Sequence, residues 1–107
     1  MLETNNDIDF ASNNDIPINE VISQMEKELE MSGEHHHFVA NEPLRLIDEL
    51  MRFLKQIDTG TRLANLFYRI DVNPAKANEK LSHYEGLAVL AWNRVFQKVW
   101  FRKNYKP

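Results

Sequence analysis

Between residues 43 and 57 the sequence packs Leu46, Ile47, Leu50, Met51, Phe53, Leu54 and Ile57 behind Leu44. At a helical repeat these side chains fall into two adjoining stripes, 46-50-53-57 and 47-51-54. A helix this broadly apolar must be covered on more than one side. It is therefore either the central helix of a domain or part of an oligomer interface. Asn41-Glu42-Pro43 supplies a capping residue and a proline for the first turn, which sets the start of the helix.

The same periodicity recurs along the chain. Ile18, Val21, Ile22, Met25 and Leu29 mark a helix over 17–32, with Glu20, Glu26, Glu28 and Glu30 assigned to its other faces. Pro17 suits its first turn and Gly33 its stop. Asp58-Thr59-Gly60-Thr61 reads as a turn ending in an N-cap, followed by Leu63, Leu66, Phe67 and Ile70 in a helix over 61–72. Asn73-Pro74 repeats the cap-then-proline device and opens a brief polar helix over 74–81. Ser82-His83-Tyr84-Glu85 has the spacing of a capping box, in which the serine serves the third amide and the glutamate returns to the serine amide. It starts a long helix over 83–105. The likeness of residues 53–58 to 66–71, at an offset of thirteen, falls below the roughly 20-residue periods of repeat architectures and marks two helices of similar amphipathicity.

The expected fold class is thus all-α: a small bundle of four principal helices plus one short helix, forming a single domain over 16–107. A chain of 107 residues has room for one domain and no more. Residues 1–15 consist mostly of Asn, Asp, Ser, Glu and Thr, with Ile8 and Phe10 the sizeable apolar groups beyond the start. So little apolar surface does not offset the entropy of ordering, and a disordered acidic tail is expected. The centre of the domain should combine Ile47, Leu50, Met51 and Leu54 with Phe67, Trp92, Val95, Phe96 and Val99.

Charge is divided unevenly. Residues 1–34 carry a net charge of −8, and residues 35–107 carry +5. Two readings follow: an acidic tail that shields a basic surface of the same molecule, or a basic surface reserved for an acidic partner. The absence of cysteine removes disulfides, thiol nucleophiles and thiolate metal sites and fits a reducing compartment, so a cytoplasmic location is expected. The first residues show no secretory signal pattern, and no apolar run reaches the roughly 18 residues of a membrane span.

In the C-terminal helix, an angle of about 100° per residue places Ala88, Val89, Trp92, Val95, Phe96, Val99 and Trp100 on one arc, read as core. Leu87, Leu90, Arg94, Gln97, Lys98, Phe101 and Tyr105 fall opposite, with Arg102 at the flank and Lys106 beyond. Lys103 falls on the core arc by angle, as expected if the helix outruns the core. Cations in the last turn complement the helix dipole.

Catalytic chemistry finds no foothold in the sequence. Glu34-His35-His36-His37 is a polar run of a type that binds divalent metals, but adjacent histidines seldom converge on one ion, and a solvated loop is expected. Ser12, Ser23, Ser32 and Ser82 lack a nucleophile context, and Gly33, Gly60 and Gly86 do not form a phosphate-cradling loop. Glu79 and Glu85 are not placed for acid–base work, and Asp48, Glu49, Asp58 and Asp71 read as helix-surface and turn residues. No cofactor or small-molecule substrate site is indicated. What remains is a non-enzymatic protein–protein interaction module, an adaptor or regulatory subunit. Its partner-binding or self-associating surface would comprise Leu90, Arg94, Lys98, Phe101, Arg102 and Tyr105, with the excess width of helix 43–57 as a second candidate. The alternative is a nucleic-acid accessory protein that sets Arg94, Lys98, Arg102 and Lys103 on phosphates and Tyr105 on bases. The sequence pI near 5.8 lies well below the pI above roughly 9 of dedicated binders.

Overall fold

Prolines and left-handed residues divide the chain into helices, as seen in the computed structural model, which describes Phe10 and residues 16–105. The elements are α1 (Ile18–Met31), α2 (Pro43–Ile57), α3 (Arg62–Ile70), a single 3-10 turn (Pro74–Lys76) and α4 (His83–Asn104). There is no strand among the described residues, and the all-α fold class stands. The disordered tail expected over 1–15, Phe10 apart, lies outside the described residues, as does Lys106.

The chain stops α1 with a two-bond C-terminal motif. Gly33 takes φ +99°, its N–H donates to the Glu30 carbonyl at 3.0 Å, and the Glu34 N–H reaches back to Leu29 at 2.9 Å. A residue with a side chain would be strained at that φ. At the end of α3 the same pattern is built on a non-glycine residue. Asp71 takes φ 68°, with Asp71 N–H bonded to Tyr68 and Val72 N–H to Phe67. The starts are less regular than the sequence implies. Asn73 caps as expected, accepting from the Ala75 N–H at 3.0 Å, but the helix it opens is one turn long rather than extending to residue 81. Ser82 stands at the N-cap of α4 without a side-chain cap bond, so the expected capping box does not form. Thr61 likewise makes no cap bond, and Glu42 rather than Asn41 occupies the N-cap of α2, with Pro43 at N1 as expected.

α4 is the central helix. It packs most extensively on α2, then on α1, and also touches α3. The α2 stripe Leu46, Leu50, Phe53 and Ile57, together with Leu54, faces the core with Trp92, Val95, Phe96 and Val99. Ile47 and Met51, expected at the centre, are only partly buried at its edge. The Trp92 indole N–H donates to the Leu46 carbonyl at 3.0 Å, joining the two helices in the interior. A buried indole requires such a partner, because an unpaired donor there costs about 1–3 kcal/mol. Gly86 serves packing: a Cβ at that position would lie 3.1 Å from the Asn78 carbonyl oxygen, so its bare backbone lets residues 77–78 approach the first turn of α4.

Phe10 belongs to this core. It is 3% exposed, stacks on Trp92 with centroids 4.9 Å apart and an interplanar angle of 9°, and meets the edge of Phe96 at 6.3 Å. Full burial of such a ring is worth roughly 1.5–3 kcal/mol, enough to hold one residue of a polar segment against the helices.

Candidate interaction surface

Buried acids organise the surface around α4 and the connection that precedes α2. Glu28 on α1 is 4% exposed, and its carboxylate receives Lys98 Nζ at 3.0 Å and Gln24 Nε2 at 3.0 Å, with Arg69 Nε 3.8 Å away. Glu20 pairs with Lys103 at 3.1 Å, and Gln24 accepts from Arg102 at 3.1 Å. Arg94 reaches the Asp71 carbonyl at 3.2 Å and its carboxylate at 3.3 Å. Part of the charge split of the sequence is thus met within the fold, where Glu20 and Glu28 of α1 pair with cations of α3 and α4. Glu28 is not on an outer face of α1 as the periodicity implied.

The connection 34–41 is only in part the solvated histidine loop expected from its composition. His36 lies against Phe53 and Phe38, with centroids at 4.8 and 4.6 Å, and its Nε2 is 2.7 Å from Glu49. The same Glu49 carboxylate accepts the Val39 and Ala40 N–H groups at 3.0 and 2.9 Å, and Glu26 accepts the Phe38 N–H at 2.9 Å. Phe38 packs on Trp92 at 5.0 Å. Two helix carboxylates thus clamp an extended strap whose one large ring wedges into the core. The helical spacing marks Glu49 only as a surface acid, because spacing does not show which backbone amides a side chain will meet. Glu34 is also buried and takes a bidentate contact from Arg62, at 2.9 and 2.7 Å.

The electrostatic consequences follow from those contacts. The Arg62 hydrogen bonds hold the Glu34 carboxyl below its ordinary value against the opposing effect of burial. Burial pushes the Glu49 carboxyl up, but the Ala40 and Val39 amides and His36 outweigh it and hold it down. Asp58 accepts from the Tyr84 hydroxyl at 2.5 Å, which raises the phenol above its usual range. Within the run His35-His36-His37 only His36 is partly enclosed; His35 and His37 face solvent. Among the described residues no group of three or more His, Asp or Glu side chains is placed to hold a metal ion, and no helix is long and apolar enough to cross a membrane.

No protein-family model, curated protein or solved structure matches this chain.

The six residues expected to form a binding face separate into three kinds. Arg94, Lys98 and Arg102 are engaged with Asp71, Glu28 and Gln24. Leu90 is partly buried against the core, so it is not the free apolar group the angular projection implied. Phe101 and Tyr105 are exposed at 41% and 69%. Two further assignments change: Leu87, placed on the outer face by angle, is buried, and Val89 and Trp100, placed in the core, are only partly covered. Trp100 instead joins an aromatic cluster at the end of α4, 5.3 Å from Phe101 and 6.0 Å from Tyr105, with Phe101 and Tyr105 stacked at 5.4 Å and 26°.

A second apolar surface lies between α2 and the start of α4. Leu44, 73% exposed, with Ile47, Met51, Leu81 and Val89, lines a groove of about 430 Å³ flanked by Asp48 and Glu85. It is the outer stripe of α2, and the adjacent stripe faces the core. The doubled apolar pattern of residues 43–57 announced this surface, whereas Val39, 91% exposed, and Tyr68, 89% exposed, carried no signal beyond their residue type.

Proposed function

We propose that the protein is a non-enzymatic interaction module, an adaptor or regulatory subunit, that engages a protein partner through the aromatic end of α4. The observation that carries this reading is the cluster of Trp100, Phe101 and Tyr105. Its rings pack on one another, and Phe101 and Tyr105 remain open to solvent beyond the point where α4 leaves the core. Large aromatic side chains presented together, beside Arg102, match the residue types that anchor protein interfaces.

The nucleic-acid reading has less support, because Arg94, Lys98 and Lys103 are paired with Asp71, Glu28 and Glu20 and would have to abandon those acids to reach phosphates.

The deciding comparison sets the wild type against Phe101→Glu/Tyr105→Glu in sedimentation and in partner capture. Loss of self-association or of a captured partner, with the fold intact by circular dichroism, is expected. Identical behaviour of the two proteins would remove the α4 end as the binding surface. Leu90→Glu is a poorer probe, since Leu90 packs on the core and its replacement disturbs folding as well as binding.

A further inference from the structure

The walls of the Phe10 site are also held by contacts that do not involve Phe10. Trp92, which forms its floor, is fixed independently by the hydrogen bond from its indole to Leu46 and by Phe38 packed against it. Phe96 walls the site from the same helix, and the apolar surface continues past the ring along Ile16, Val21 and Pro43. At the rim, Asn93 Oδ1 accepts the Phe10 backbone N–H at 3.0 Å, a side-chain contact outside any helix or sheet ladder. In sequence the ring is flanked by Asp7, Asp9, Asn13, Asn14 and Asp15, with Ile8 the nearest large apolar neighbour. Phe10 is the largest apolar group in the sequence from 7 to 15, so undocking this stretch forfeits less apolar contact than opening the helices that receive the ring.

We propose that the Trp92–Phe96–Asn93 site is a docking pocket for a phenylalanine on an acidic segment of a partner protein, and that Phe10 is its built-in competitor. The chemistry of the pocket specifies this ligand. Parallel stacking on an indole selects a flat ring, the apolar walls exclude a charged one, and Asn93 Oδ1 asks for a backbone N–H beside it. The acidic flanks are those of the occupant the chain itself supplies. This face is distinct from the aromatic end of α4, so the two proposals stand or fall separately.

Two measurements on the full chain decide it. In the wild type, hydrogen exchange at the Phe10 amide should be at least about 100-fold faster than at the core amides of α4 such as Val95, because the plug leaves by local opening. In full-length Phe10→Ala, a blocked synthetic peptide spanning residues 5–14 should bind in trans and shift the Trp92 indole resonance. It should bind the wild type at least about tenfold more weakly, since Phe10 keeps most of the pocket filled. A peptide with alanine in place of its phenylalanine should not bind. Protection of the Phe10 amide equal to that of Val95, unfolding of Phe10→Ala, or absence of peptide binding to a folded Phe10→Ala would each overturn the proposal. In all three cases the ring would be a fixed part of the core.

Discussion

Lys98 Nζ lies 3.0 Å from Glu28 Oε2, joining α4 to α1 across seventy residues of sequence. The acid is buried, while the lysine and Arg69 on its other side keep contact with water, their side chains 25% and 46% exposed. The pair therefore fixes how α1 lies against α3 and α4 without the full desolvation penalty of a wholly interior ion pair.

Removing the acid should cost more than removing either cation. Glu28→Ala leaves Lys98 and Arg69 facing a gap and should lower stability by about 2 kcal/mol, whereas Lys98→Ala leaves Glu28 with Arg69 and Gln24 and should cost about half as much. Urea midpoints of the two variants check the order. A larger loss for Lys98→Ala would mean that the lysine stem, and not the charge, holds the helices.

The Glu49 clamp predicts a local effect. Glu49→Ala frees the Val39 and Ala40 amides and His36, and should cost about 1–3 kcal/mol. Exchange at the Val39 and Ala40 amides should rise more than exchange within α4. Uniform acceleration across the protein would show that the strap and the bundle open as one unit.

Acid should weaken the fold through Glu34 and Glu49. Each carboxyl is held below the ordinary value of 4.5, so each contributes stability above that pH and loses it as pH falls through the lower, folded-state value. Urea midpoints should be level near neutrality and decline once the pH drops below about 4.5. The Glu34→Gln/Glu49→Gln variant should be less stable at pH 7 and decline less steeply. An unaltered pH profile would assign the acid sensitivity to other groups.

Asp71 is a test of backbone strain. At φ 68° an alanine lacks the local polar interactions that favour aspartate there, and Asp71→Ala should cost about 1 kcal/mol. Asp71→Gly relaxes the left-handed conformation but loses the carboxylate contact with Arg94, which keeps the carbonyl, so it should change stability by less than about 0.5 kcal/mol. Thermal melts of the two variants compare them. Equal loss in both would place the whole effect on the Arg94 ion pair.

Helix positions were legible because their causes are local. Gly33 and Pro43 act within one turn, and the apolar spacing of 46-50-53-57 is the helical repeat itself, so α1 stops and α2 runs where the sequence places them. Side-chain capping was less legible. Ser82 has the right neighbours at the right spacing, yet its hydroxyl makes no cap bond. The exposure of the proposed binding face was half legible: Phe101 and Tyr105 are exposed as the projection implied, while Leu90 is partly buried. A projection onto one helix knows the angle of each side chain but not which neighbouring helix stands at that angle.

The sequence by itself determined an all-α chain, its principal helices and most of the residues that fill its core, because propensity, periodicity and chain-breaking residues operate over three or four positions. Only the tertiary structure decided that the acids of α1 meet the bases of α3 and α4, that Glu49 gathers the amides of a strap ten residues upstream, and that Phe10 stacks on Trp92. Those contacts join residues as far as 83 apart in sequence. Burial makes each partner of such a contact depend on the other, so the pairing becomes visible only when the helices have been set side by side.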